Sequence, residues 1–239
     1  FCALLGRGDI MKTYVELIST RVYAGRLKDR ENLNNSSSGG AFTALSDFFL
    51  KNGNAVVAAI YNYENHTTEF QMILDKDQRE RAKGSKYMQS KPGGIFREAY
   101  RWLMENSGKK MLFVGMGCQS DGFRKFSEIK EIRDRVYIVD IICHGSPSPK
   151  LWREYAESVQ KKDGKITFLT FKDKRNGWKF PTAYVKVNGE EKSIKDYVKV
   201  FYNRCALRPS CYECPYATIE RKTDMTIGDF WHIEETIPD

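Results

Sequence analysis

Three of the chain's six cysteines fall in the decapeptide Cys205-Ala-Leu-Arg-Pro-Ser-Cys-Tyr-Glu-Cys214, which holds no fourth. Disulfides consume thiols in pairs, whereas a zinc ion or an iron–sulfur cluster asks for four ligands. Three thiols at this spacing are an incomplete metal site, and the remaining ligand must come from elsewhere. Cys143 follows the apolar run VYIVDII and begins the loop CHGSPSP, and Cys118 follows MLFVG in the same topological position. Either can close the set, whereas Cys2 lies in the terminal segment, where order is not expected. Spacing alone serves two outcomes equally: zinc on four cysteines, or on three with His144, and an iron–sulfur cluster.

A second group of residues suits an anion. In SSSGG, immediately before an apolar helical pattern, Ser37, Ser38, Gly39 and Gly40 would bring hydroxyls and close-approaching backbone to the positive end of a helix. The competing reading is an ordinary helix start capped by Ser38. The string is neither a Walker loop nor a dinucleotide fingerprint. In GSKYMQS, Lys86 and Tyr87 pair a cation with a ring, which suits a pyrophosphate and an aromatic group, or a polar surface loop.

The elements that must position these residues alternate. AFTALSDFFLKN places Ala41, Leu45, Phe48 and Phe49 on one helix face, and Gly53 ends it. NAVVAAIY reads as a buried strand, and Thr68, Phe70, Met72 and Leu74 alternate along a second. IFREAYRWLMENS is a helix, MLFVG a strand leading into the loop GMGCQSDG, RVYIVDIIC a strand and PKLWREYAESVQKK a helix, with KITFLTFK and TAYVKV as later strands. A further strand is expected within TYVELISTRVYAGRL. This alternation predicts an α/β fold: a mixed, partly parallel sheet with flanking helices and a Cys-rich segment. Ligands gather at the C-terminal ends of such strands, where Cys118 and Cys143 stand.

Composition sets the surroundings. With 41% hydrophobic and 29% charged residues, the 239-residue chain reads as a globular protein. No run approaches the ~20 apolar residues of a membrane span, and FCALLGRGDI lacks the charged start of a secretory signal. The expected location is the cytoplasm, where neighbouring thiols stay reduced and bind metal. The net charge of +8 is scattered through KKDGK, KDKRNGWK and RKTD, which describes a solvated surface and no nucleic-acid face. Met11 reads as a native start behind a ten-residue remnant.

In order along the chain, SSSGGAFTAL, GSKYMQS, GCQSDG, DIICHGSPSPKLW, GWKF, CALRPSCYECPY and DMTIGDFW resemble the beta-subunit family of coenzyme F-420 hydrogenases and dehydrogenases, over roughly residues 36–231. The resemblance implies a flavoprotein that binds FAD and one 4Fe-4S cluster and passes electrons between a two-electron coenzyme and one-electron carriers. It assigns the cluster to Cys143, Cys205, Cys211 and Cys214, and the flavin to the SSSGG and GSKYMQS loops, with Gln119 at the ring edge. Asp229 would anchor a polar network beside the cofactor. His144 has two readings, proton donor to the flavin or a hydrogen-bond donor within its loop. Two features depart from the family: Met116–Gly117 stands where the family usually has proline before the cysteine, and no cysteines supply the N-terminal ferredoxin module that many relatives carry. A redox partner, a ferredoxin or another oxidoreductase subunit, is therefore expected.

The resulting division is an N-terminal segment 1–35, a flavin-binding region 36–150 and a Cys-rich region 151–239, with a C-terminal lobe expected beyond Asp239. The rival readings are a zinc-stapled binding module and a scaffold that keeps the fold without the chemistry.

Overall fold

The structure, a computed structural model, describes residues 21–177 and 182–231. Cys2, Met11 and the first ten residues lie outside these, as do residues 178–180 of GWKF and 13–20 of the expected first strand; residues 21–27 form no strand.

The main sheet runs β3-β2-β1-β4-β5-β9. β1 (Ala55–Asn62) and β2 (Thr67–Ile73) form an antiparallel hairpin, and β3 (Ser90–Lys91) joins the outer side of β2. On the other side β4 (Met111–Met116), β5 (Val136–Ile141) and β9 (Met225–Ile227) continue from β1, each parallel to the strand before it. The expected mixed, mostly parallel sheet is the observed one. β1 and β4 are apolar almost throughout because both of their faces are covered. One face, with Val57, Met111 and Phe113, packs on α4 (Ile95–Glu105) and α5 (Gly117–Ile129); the other, with Val56, Ile60 and Leu112, packs on α2 (Ala41–Lys51) and α3 (Lys76–Ala82). A short α1 (Arg30–Asn34) precedes them.

The later strands form a sheet of their own. β6 (Ile166–Asp173), β7 (Thr182–Val187) and β8 (Glu190–Ser193) are antiparallel, and they close with α6 (Pro149–Asp163) and α7 (Lys195–Tyr202) on a second core around the fully buried Trp152. Tyr61 and Met88 reach into that core and bind the two sheets together.

Three local expectations change. The stretch GMGCQSDG is not a loop: its residues from Gly117 onward are the first turns of α5, started by a hydrogen bond from the Met116 N–H to Gln119 Oε1 (3.3 Å). Two glycines and short polar residues hide the helix from a reading based on apolar spacing. Phe48 does not share the buried face of α2; it is 67% exposed while Phe49 is 8% exposed. The inward side is made instead by Thr43, Ser46 and Phe49, and the carbonyl of Thr43 accepts both Ser46 Oγ (3.0 Å) and Arg79 Nη1 (3.2 Å) of α3. Leu74 lies past the end of β2 and is exposed.

In α5, Phe123 stacks on Phe113 with ring centroids 4.4 Å apart and is completely buried. Truncating it to alanine is expected to cost about 3–5 kcal/mol, whereas Phe48→Ala should change stability by less than about 0.5 kcal/mol. Urea midpoints of the two variants check this, and equal losses would place α5 wrongly.

Candidate functional site

The site is built at the sheet edge where β4, β5 and β9 end. Parallel pairing sets Met116 beside Ile141 and Ile141 beside Ile227, so three chain exits leave side by side. The first becomes α5 with Cys118, the second runs through Ile142 to Cys143 and His144, and the third leads to Gly228 and Asp229.

The Cys-rich segment is fastened across these exits. Pro147 bridges Leu207, and Arg208 N–H donates to the Ser146 carbonyl (3.0 Å). Gly145, at φ 123°, allows the approach: a Cβ there would lie 2.6 Å from Leu207 Cδ1. The other side of the same loop receives a hydrogen bond from Gln89 N–H to the Pro147 carbonyl (3.3 Å). Beyond the short α8 (Pro209–Tyr212), Tyr216 OH donates to Asp121 Oδ2 (2.8 Å) and Arg221 Nη1 to Asp140 Oδ2 (2.9 Å).

These contacts bring Cys118, Cys143, Cys211 and Cys214 near enough for their thiols to feel one another's charge. Cys118 and Cys143 are exposed and Cys211 and Cys214 half-buried; desolvation raises the Cys143 thiol to about 11, with the charges of Cys118, Cys211 and Cys214 adding to the rise. Desolvation likewise raises Cys118, followed by the charges of Cys214 and Cys211. Cys205 is exposed, and its thiol lies 3.6 Å from the Asn203 carbonyl. Among the described residues no three His, Cys, Asp or Glu side chains are close enough to hold a single metal ion.

The residues expected to meet a flavin have partners within the protein. Lys86 Nζ donates to the carbonyls of Ala82 (2.5 Å) and Lys83 (2.9 Å) at the end of α3. Tyr87 stacks on Phe201 at 4.2 Å and shares a 2.8 Å hydrogen bond with the Tyr202 hydroxyl. Gln119 Nε2 donates to the Ser90 carbonyl (2.9 Å), tying β3 to the start of α5. His144 lies against the rings of Phe201 and Tyr202, at 5.2 and 5.9 Å.

The SSSGG loop does meet the other expected strings. Ser37 Oγ lies 3.1 Å from Ser85 Oγ, and Ser38 Oγ donates to Asp229 Oδ1 (2.8 Å), whose other oxygen accepts from Lys172 Nζ (2.5 Å). Lys174 Nζ donates to the carbonyls of Leu33 (2.9 Å) and Ser36. Ser38, Gly39 and Gly40 all have positive φ, and α2 starts at Gly40 without a side-chain cap. The close approach at the glycines is made by the chain itself, since a Cβ on Gly39 would lie 2.6 Å from the Gly25 carbonyl oxygen.

Sequence reasoning passed over Asp121, Asp140 and Tyr216. The acids look like surface residues on α5 and β5, yet they are 2% and 1% exposed and hold the Cys-rich segment in place. The available signal was an acid between the apolar residues of VYIVDII, a position that burial makes costly without a partner.

A family model for the C terminus of the coenzyme F420 hydrogenase/dehydrogenase beta subunit matches residues 108–237, more than half of the chain. This chain belongs to that family. The matched region contains all five described cysteines and both buried acids. A chain of the F420-reducing NiFe hydrogenase complex from Methanosarcina barkeri has a similar fold, with a TM-score of 0.54 at 19% identity; the match covers 79% of this chain and 63% of that one, less than two thirds of its length. No curated protein matches the sequence. Among the described residues no helix is long and apolar enough to cross a membrane.

Desolvation lowers the Lys86 amine to about 7. An unfolded lysine keeps its proton to about 10.4, so between these values the unfolded state binds more protons and folding stability rises with pH. Lys86→Met is expected to remove that rise between pH 7 and 10, measured by urea unfolding across the range. A variant with the same pH slope as the parent would mean that the amine is charged in the folded protein.

Proposed function

We propose that this chain is the iron–sulfur flavoprotein part of an oxidoreductase, passing electrons between a two-electron donor, a reduced deazaflavin or similar coenzyme, and one-electron carriers. The observation that carries this reading is the fastening of the Cys143 loop to the Cys-rich segment, which brings thiols distant in sequence to one sheet edge.

The donor set fits a 4Fe-4S cluster better than zinc. Zn–S bonds of about 2.3 Å in a tetrahedron require sulfurs about 3.8 Å apart. A four-iron cube holds its thiolates farther apart and suits thiols that feel one another's charge without closing on one ion. In this reading Cys143, Cys211 and Cys214 are ligands. Cys118, which shares their field, takes the fourth place that the sequence resemblance gives to Cys205.

The loop cluster around Ser37 and Ser38 fits the diphosphate end of FAD: an uncapped start of the 11-residue α2, hydroxyls, and Lys172 and Lys174 close by. Lys86, Tyr87 and Gln119 are better read as residues that shape the walls, because their polar atoms are already paired. When bound, FAD would exchange electron pairs with the coenzyme and the cluster would carry them one at a time. The protein's part is to hold both groups at one sheet edge and to shield them. The setting proposed is the cytoplasm, with a ferredoxin or another oxidoreductase subunit as partner.

The test is the visible spectrum of anaerobically reconstituted protein. Flavin bands with a broad cluster shoulder are expected, and Cys143→Ser, Cys211→Ser and Cys214→Ser should each abolish the shoulder. Loss in Cys118→Ser with retention in Cys205→Ser supports Cys118 as the fourth ligand; the reverse restores Cys205. A colourless zinc protein would favour a binding module, and a colourless metal-free one a scaffold.

Partner docking gives a second measurement. Arg221 is held by Asp140, which leaves Arg204, Arg208 and Lys222 beside the Cys-rich segment to meet an acidic carrier. Ferredoxin reduction should slow as salt rises, and an Arg208→Glu, Lys222→Glu variant should be slow at low salt. Rates independent of both would remove the docking face.

A further inference from the structure

Beyond Cys214 the Cys-rich segment is held by polar contacts that converge beside Cys118. Asp140, the penultimate residue of β5, accepts Arg221 Nη1 (2.9 Å) on Oδ2 and the hydroxyls of Thr223 (2.9 Å) and Thr226 (2.6 Å) on Oδ1. Asp121, one turn into α5, accepts Tyr216 OH (2.8 Å) on Oδ2 and Arg124 Nε (2.8 Å) on Oδ1. Burial works to raise this acid, but the hydrogen bonds from Tyr216, Arg124 and Lys125 outweigh it and leave it below the usual carboxylate range.

Gly117 sits where the two contacts meet. A Cβ there would lie 3.0 Å from Tyr216 Cβ, 3.3 Å from Asp140 Oδ2 and 3.4 Å from Arg221 Nη1. The residue before Cys118 is therefore packed directly on the chain that follows Cys214. Cys205 lies in an exposed turn where Arg204 has φ 58°, held by its own local bonds, Cys205 N–H to the Val200 carbonyl (3.4 Å) and Tyr212 OH to the Arg204 carbonyl (2.5 Å).

We propose that Asp140 with Arg221, and Asp121 with Tyr216, form a two-point lock that positions Cys214 against Cys118. The lock rests on the proposed cluster reading for its purpose but not for its existence, because every member is in place in the chain alone. Its role differs from general stabilisation. The acids belong to the elements that carry Cys118 and lead to Cys143, while their donors belong to the segment that follows Cys214. Breaking the lock should free the segment after Cys214 from the elements that carry Cys118 and Cys143 while the two cores stay intact.

The experiment measures thiol reactivity residue by residue in the metal-free, reduced chain, using iodoacetamide and mass spectrometry. Asp140→Asn and Arg221→Gln should each raise alkylation of Cys118 and Cys214 by about tenfold, the scale of a lost charged hydrogen bond. Cys205, outside the lock, serves as the internal reference and should be unchanged. The two substitutions alter the local charge in opposite senses, so an electrostatic effect on the thiols would move their rates in opposite directions. The double variant should react no faster than either single one, because one contact is broken only once.

Arg221→Lys should recover part of the protection, and Tyr216→Phe should act on Cys214 in the same direction as Asp140→Asn. After reconstitution, the Asp140→Asn cluster should show an altered electron paramagnetic resonance line shape. Opposite shifts in the two variants, unchanged Cys214, or a parallel rise at Cys205 would each overturn the lock. A parent protein that takes up no cluster would overturn the cofactor reading and leave the alkylation result standing.

Discussion

The parallel register of β4 and β5 is the constraint from which the site follows. Parallel neighbours end at the same edge, so pairing Met116 with Ile141 puts the start of α5 beside the start of the Cys143 loop. Pairing Ile141 with Ile227 then adds the exit to Asp229 at the same level. A slip of one residue would turn Asp140 to the opposite face of the sheet and point its carboxylate away from Arg221. No loop contact could compensate, because a carboxylate buried without a donor is costly.

β9 depends on that acid in turn. It is only three residues long and lies at the sheet edge, where few ladder hydrogen bonds are available. Thr226 in the strand and Thr223 before it both donate to Asp140, and Asp224 accepts the Ile138 N–H (2.7 Å) and pairs with Arg133. Side chains thus supply the attachment that a short edge strand lacks. The same attachment sets where the chain leaves toward Asp229, whose carboxylate links Ser38 of the N-terminal loop to Lys172 of the second sheet. The Cys-rich segment and the exit to Asp229 are therefore coupled through one buried carboxylate and one short strand.

Aromatic packing braces the residue after Cys143. Tyr87 stacks on Phe201, Phe201 approaches His144, and the Tyr87 ring also meets Phe171 of the second core. Tyr197 OH donates to the Tyr87 carbonyl (2.7 Å), fixing the GSKYMQS loop against α7. This ties the residue after Cys143 to the second sheet. His144 makes aromatic contacts with Phe201 and Tyr202 of α7, and its loop is held by backbone bonds through Ser146 and Pro147.

By itself the sequence determined the α/β class, the strands β1, β4 and β5, the helices α2, α4 and α6, and the position of Cys118 and Cys143 after parallel strands. Those features depend on local periodicity and on apolar runs long enough to be buried on two faces. The family strings also marked loops that do meet: SSSGG with GSKYMQS through Ser37 and Ser85, and SSSGG with the GDFW string through Ser38 and Asp229. The start of α5 escaped because Gly117 serves a packing need that lies about 100 residues away in the chain, at Tyr216 and Arg221. The buried face of α2 escaped because Thr43 and Ser46 are accepted inside only where Ser36 and the helix carbonyls satisfy them. The grouping of thiols was likewise a tertiary decision. Spacing joins Cys205 to Cys211 and Cys214, but an isolated spacing says nothing about which thiols come near Cys118 and Cys143. That depends on where Leu207 seats against Gly145 and on which buried acids receive Tyr216 and Arg221.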